Sequence, residues 1–240
     1  GEKVKVDTRT GEYVSRAYPR LAEYYQILLK NTAGRLDDML LLLKVDLDNI
    51  LNLMEWCWKN DREVLIDYLD AVGVAMGILR YLKRRVRWGK RVVEACRALG
   101  RDEEADWYLI RDVAWSLVKM GTEETRQQAR EILEQAKERA EESNWVRNTA
   151  LVLRNLGTLA VDDGDFDTAE DYLSTSVQLW KQVNERFFEM ITREAKATLA
   201  RKRKELAEAK ATYEGLRREY ASIGDVDGQI AFACQVSEDV

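Results

Sequence analysis

The sequence predicts an all-α protein, a right-handed superhelical solenoid of antiparallel helix hairpins, about five or six of them. Three observations point there. The 240 residues contain a single proline, Pro19, and proline removes a donor and clashes inside helices. Apolar residues recur at i, i+4 and i+7, which is one face of a helix. A triplet of small, bulky and mostly small residues returns every 40 residues: Gly89, Val93 and Cys96; Ala129, Leu133 and Ala136; Ala169, Leu173 and Ser176; Ala209, Tyr213 and Leu216. The small first residue lets a neighbouring helix approach, and the bulky one fills the gap between hairpins.

In chain order, "KVKVDT" (Lys3 to Thr8) alternates and reads as a short strand or part of an irregular lead-in over 1–17. Helices are expected near Tyr18 to Leu29, Leu36 to Lys44 and Asp48 to Lys59, giving an N-terminal helical segment over 18–60. Asn60-Asp61 caps the helix that opens one continuous array over 61–240, with no Gly/Ser linker. Its first helices carry the stripes Leu65, Leu69, Val72, Met76 and Leu79; Tyr108, Val113, Ala114, Leu117 and Val118; and Leu153, Leu156, Gly157 and Ala160. The fourth stripe is Phe187, Phe188, Ile191, Ala195 and Leu199, before a basic turn that leaves its register open. Gly164 can take the left-handed conformation that ends a helix. Asp165 or Asp167 can cap the next helix, and Phe166 tucks into the junction. Gly121-Thr122 repeats that stop and start.

Composition narrows the function. No histidine is present, which removes the commonest general base and most zinc sites, so the chain reads as a non-enzyme with no cofactor. The net charge of -5 speaks against general nucleic-acid binding, and no apolar run nears the roughly 18 residues of a membrane span. Cys57, Cys96 and Cys234 form no disulfide framework; they predict buried core thiols in a cytoplasmic protein. Gly1 in place of an initiator Met predicts a fragment of a longer chain.

"LVLRNLGTLAVDDGDFDTAEDYLSTSV" (Leu151 to Val177) resembles the tetratricopeptide repeat. Leu153, Leu156, Gly157 and Ala169 fit that motif; Ala160 and Leu173 stand where aromatics are usual, the closing proline is missing, and the beat exceeds the usual thirty-four. With "DLDNILNLMEWCWKN" and "RVRWGKRVVEACRALGRDEEADWYLIRDVAWSLVKMG" included, roughly 20–236 looks like the sensor arrays of STAND-class signal-transducing NTPases, of the maltose-responsive-activator kind. The resemblance implies a ligand- or protein-binding sensor whose NTPase module lies elsewhere in the parent chain, since no phosphate-binding loop is present here. Its partner is a protein, peptide or small-molecule effector, and a plain interaction scaffold with no switching role is the alternative.

By motif matching, the concave wall consists of Tyr108, Arg111, Asp112, Trp115 and Lys119 in one hairpin and Arg154, Asn155, Thr158 and Asp162 in the next. Arg111 and Arg154 fall on equivalent positions, where two guanidinium forks can hold a carboxylate, phosphate or acidic peptide. Trp115 can stack on a sugar or an apolar group. "RYLKRRVRWGKR" (Arg80 to Arg91) is a basic, aromatic cluster whose simplest role is a solvated or docking surface, with Arg84, Arg85 and Arg87 facing acids of the first helices. "DDGDFD" lacks the glycine and closing glutamate of a calcium loop, and "DVDG" (Asp225 to Gly228) reads as a turn. Most of the seven tryptophans belong in hairpin cores, with Trp58 and Trp115 the two to watch for exposure. "REAKATLARKRKELAEAKATYEGLRREY" pairs charges at i,i+4 on a solvated face and sustains no heptad.

Overall fold

Left-handed backbone residues set the rhythm of this chain. In the computed structural model, which describes residues 11–32 and 36–222, Arg80, Gly100, Gly121, Asn144, Gly164, Asn184 and Lys204 all have φ between 56° and 80°. They are spaced 20, 21, 23, 20, 20 and 20 residues apart, so two helices make one hairpin of 40 to 44 residues. At six of these turns the next residue donates its N–H back across the helix end, as in Tyr81 to the Met76 carbonyl (2.9 Å), Asp165 to Ala160 (3.0 Å) and Glu205 to Ala200 (2.8 Å). That is the Schellman closure. Glycine supplies the left-handed conformation at three of the seven positions and asparagine at two; Arg80 and Lys204 adopt it with ordinary side chains.

The elements are α1 (Gly11–Thr32), α2 (Leu36–Asn60), α3 (Arg62–Ile78), α4 (Leu82–Ala98), α5 (Asp102–Tyr108), a π-helical segment (Leu109–Ala114), α6 (Trp115–Met120), α7 (Glu123–Glu142), α8 (Val146–Asp163), α9 (Phe166–Gln182), α10 (Arg186–Lys202) and α11 (Leu206–Ser222). No strand occurs among the described residues. α1 starts at Gly11, so it takes in the second part of the expected lead-in over 1–17; "KVKVDT", Cys234 and "DVDG" lie outside the described residues. The two helices expected on either side of Val45 are one element, α2, kinked at Asp46 (φ -127°, ψ 17°). α5, the π segment and α6 follow one another directly. Their span between left-handed residues holds one residue more than the common 20, and a π turn is how a helix absorbs a single insertion.

Side-chain caps start three helices: Asp61 accepts from the Val64 N–H, Thr122 from Thr125 and Asp165 from Thr168. Of the two acids expected to cap α9, Asp165 does so. Phe166 packs on the cluster of Ala160, Val161, Ala169, Leu173 and Leu199.

Each helix packs on its neighbour in sequence, and first helices also touch one another: α1 with α3, the π segment and α6 with α8, α8 with α10. The recurring triplets are the packing surface. Ala129, Leu133, Ala136, Ala169, Leu173, Ser176 and Cys96 are fully buried. A methyl group built on Gly89 would stand 2.8 Å from Val113 Cγ2, and one on Gly157 would stand 2.7 Å from Leu173 Cγ. Bulky apolar side chains of this kind each contribute about 1.5–3 kcal/mol when fully buried. The core runs along the chain, with one cluster from Ala22 to Tyr108, a second from Ile110 to Trp180, and smaller ones between α8 and α11. Both described cysteines are buried, and burial pushes the Cys57 and Cys96 thiols up to about 12.

Candidate functional site

Ten residues before the left-handed residue of four successive first helices stand Asp70, Arg111, Arg154 and Glu194. The structure therefore puts Arg111 and Arg154 on equivalent positions, as the motif match requires, and adds an acid at either end of the row.

At Arg111 the charges are closed off. Its Nη1 donates to Asp70 Oδ1 at 2.7 Å and its Nε to Asp112 Oδ2 at 2.8 Å, and its guanidinium lies 4.8 Å from the Tyr108 ring centre. Asp112 is completely buried and also accepts from Arg85 Nε at 2.7 Å. Arg85 in turn donates to the Arg111 carbonyl and lies over the Trp115 ring. Burial works against the Arg111 charge, but Asp112 and Asp70 outweigh it and raise its pKa. Burial lowers the pKa of Arg85, and Asp112, its only carboxylate partner among the described residues, offsets that in part. Two glycines of α3 make room for the network. A Cβ on Gly73 would meet Asp112 Oδ1 at 2.6 Å, and one on Gly77 would meet Arg85 Nη1 at 2.5 Å.

At Arg154 the charges are open. Its Nη1 reaches Asn155 Oδ1 at 3.3 Å, while its buried Nε has no hydrogen-bond partner. Burial lowers its pKa, and the carboxylate of Glu194 partly restores it. Lys119 lies near; its ammonium is 5.8 Å from the Trp115 ring. Burial lowers the Lys119 pKa, the positive Arg154 lowers it further, and Asp162 opposes both.

These groups line a cavity of about 250 Å³ between α3, α6, α8 and α10. It gathers Arg111, Trp115, Lys119, Arg154 and Asn155 from the expected concave wall. The other four expected residues stand elsewhere. Tyr108 is buried beneath Arg111 and faces a wider, mixed-charge cavity of about 880 Å³. Asp112 is sealed between two arginines. The Thr158 hydroxyl donates to the Arg154 carbonyl (3.0 Å). Asp162 is exposed beyond the cavity. Tyr108 and Asp112 are thus parts of the support: Asp112 is held by two arginines that offset the cost of its burial, and the Tyr108 ring lies against the Arg111 guanidinium.

The cavity also contains residues that sequence reasoning placed in the core or a charged turn. Phe187, Phe188 and Ile191 of the fourth apolar stripe line the cavity, with Phe187 45% exposed, while Leu199 of the same stripe is buried. The buried face of α10 is Met190, Ala197, Leu199 and Ala200. One signal was available: adjacent residues point about 100° apart on a helix, so Phe187 and Phe188 lean to different sides, and Phe187 is the more exposed of the two. Phe188 stacks on buried Trp180 and meets Trp107 edge-on, which fixes this wall.

The remaining motifs are structural. In the basic cluster Arg85 is buried on Asp112, while Arg87 (3.5 Å) and Arg91 reach Glu55. In the acidic turn Asp163 takes Arg126 and Arg130 of α7, Asp165 caps α9, and Asp167 takes Arg203 at 3.0 Å. Of the tryptophans, Trp88 and Trp180 are buried in the core and Trp56, Trp58 and Trp107 are half-buried against it, while Trp115 and Trp145 are half-buried elsewhere. Trp58, for example, lies under Arg62 and Arg91. Among the described residues no cluster of His, Cys, Asp or Glu has the makings of a metal site, and no helix is long and apolar enough to cross a membrane. Compared with known proteins, the chain matches no family model and no curated protein sequence.

Proposed function

We propose that this chain is a non-catalytic recognition module, a right-handed solenoid of tetratricopeptide-like hairpins that holds a protein, peptide or small-molecule effector on its inner face. One observation carries the reading: Phe187, Phe188 and Ile191, none of them fully buried, line a cavity with Trp115 and Arg154. Apolar side chains held at a rimmed concavity are the usual make-up of a binding site. Contacts among first helices support a curved inner wall, because a small rotation from each stacked hairpin to the next gives a solenoid its concave face. The resemblance to STAND-class sensors extends the reading. In a parent chain with an NTPase module, an effector that bridges α3 and α10 favours one curvature, and so one state of that module.

A thermal-shift screen of sugars, peptides and organic acids tests this. Compounds that stabilise the protein are expected to lose their effect in the Phe187→Ser/Ile191→Ser double variant. Stabilisation that persists in that variant would move recognition away from the inner face.

A further inference from the structure

We infer that the α3–α10 cavity is a site for a small amphipathic organic anion. Its apolar body seats on Trp115, Phe187 and Ile191, and its oxyanion head is held by Arg154 and Lys119. This deepens the inner-face reading above and rests on it.

The charge balance of the wall selects the sign. Arg80, Arg85, Arg111, Lys119 and Arg154 line the cavity, and no described carboxylate does. Arg85 and Arg111 are spent on Asp112 and Asp70, and Arg80 has a partner of its own. Arg154 and Lys119 are not spent. Arg154 keeps a buried Nε–H without an acceptor, and Lys119 has only the Trp115 ring face among the described residues. Glu194 and Asp162 attract this pair through space, yet neither lines the cavity. A buried donor without an acceptor is costly, and an oxyanion beside two cations supplies the missing hydrogen bonds at charge-assisted strength.

Size selects the class. About 250 Å³ suits one compact molecule rather than an extended chain. The wider neighbouring cavity carries both signs, Glu103 and Glu104 beside Arg101 and Arg147, and selects neither. The same head-and-body chemistry comes from a free organic acid or from an acidic–aromatic pair in a peptide, and the experiment separates them.

Isothermal titration of the whole chain with 2-naphthoate, neutral 2-naphthamide, 2-naphthylmethylammonium and N-acetyl-Asp-Phe-amide is the test. Naphthoate is expected to bind at least about tenfold more tightly than naphthamide, and the ammonium not at all. Arg154→Gln is expected to abolish that preference and to leave naphthamide binding unchanged. Lys119→Gln is expected to do the same in part, and stands in should Arg154→Gln fail to fold by circular dichroism. Equal binding of naphthoate and naphthamide, or a preference that survives both variants, overturns the inference. Binding of the dipeptide without naphthoate also overturns it in favour of a peptide ligand. In any of these cases, effectors that still depend on Phe187 and Ile191 would leave the broader inner-face reading standing.

Discussion

Arg111 and Arg154 occupy the same place in two neighbouring first helices, yet one is finished and the other is not. Arg111 has Asp70 and Asp112 within 2.8 Å and a tyrosine ring beneath it. Arg154 has one 3.3 Å contact and an empty buried donor. The difference teaches how the groove divides its labour. On the α3 and π-segment side, buried charges are closed against each other and hold the wall in shape. On the α6, α8 and α10 side, cations and apolar rings are left facing the cavity, where a ligand can complete them.

If that division holds, the largest loss should come from opening the closed side. Asp112→Asn leaves Arg85 buried without its carboxylate, and chemical denaturation should show a loss of about 3–5 kcal/mol. Gly73→Ala sharpens the same point with less force. Its Cβ would stand 2.6 Å from Asp112 Oδ1, and overpacking of this kind costs about 1–3 kcal/mol. An unfolding midpoint unchanged in Gly73→Ala would mean that the network tolerates displacement.

Two smaller effects lie outside the groove and check that its surroundings are ordinary. Lys204 holds φ 66° with a full side chain, so Lys204→Gly should stabilise by about 0.5–1 kcal/mol in thermal unfolding. Glu219 accepts two hydrogen bonds from Arg193, and this holds its carboxyl below the ordinary 4.5. A lowered folded pKa gives stability that is present above the unfolded value and lost as pH falls through the folded one. Glu219→Gln should therefore flatten the acid limb of the stability curve below about pH 4.5, by about 0.5 kcal/mol for so exposed a pair.

The hairpin frame was legible wherever side chains announce backbone geometry. Gly121 and Gly164 mark stops, and Asp61, Thr122 and Asp165 mark starts, because each residue type has a physical reason to be there. Arg80, Asn144, Asn184 and Lys204 do the glycine's work without its signature, so the 20-residue spacing of turns emerges only from the backbone. The basic turn that left the fourth register open is closed by Lys204. The π turn left a trace in its stripe, where Tyr108 and Val113 stand five residues apart instead of three or four.

At the site, spacing placed Arg111, Trp115, Lys119, Arg154 and Asn155 on one wall. It did not reveal which charges are satisfied, since the partners of Arg111 come from α3 and from its own neighbour Asp112. A lone acid or arginine in a helix looks the same in sequence whether it is buried in a pair or free. Gly73 and Gly77, four residues apart on α3, were the hint that something large needed room there.

Thermal unfolding of Arg111→Gln and Arg154→Gln, measured side by side, tests the division most directly. The closed side predicts a loss of about 2–3 kcal/mol for Arg111→Gln, which for a chain of this size is a midpoint lowered by roughly 4–10 °C. Arg154→Gln should stay within about 2 °C of the parent protein, because it removes a cation that the fold does not satisfy. Equal losses, or a larger loss at Arg154, would contradict the account.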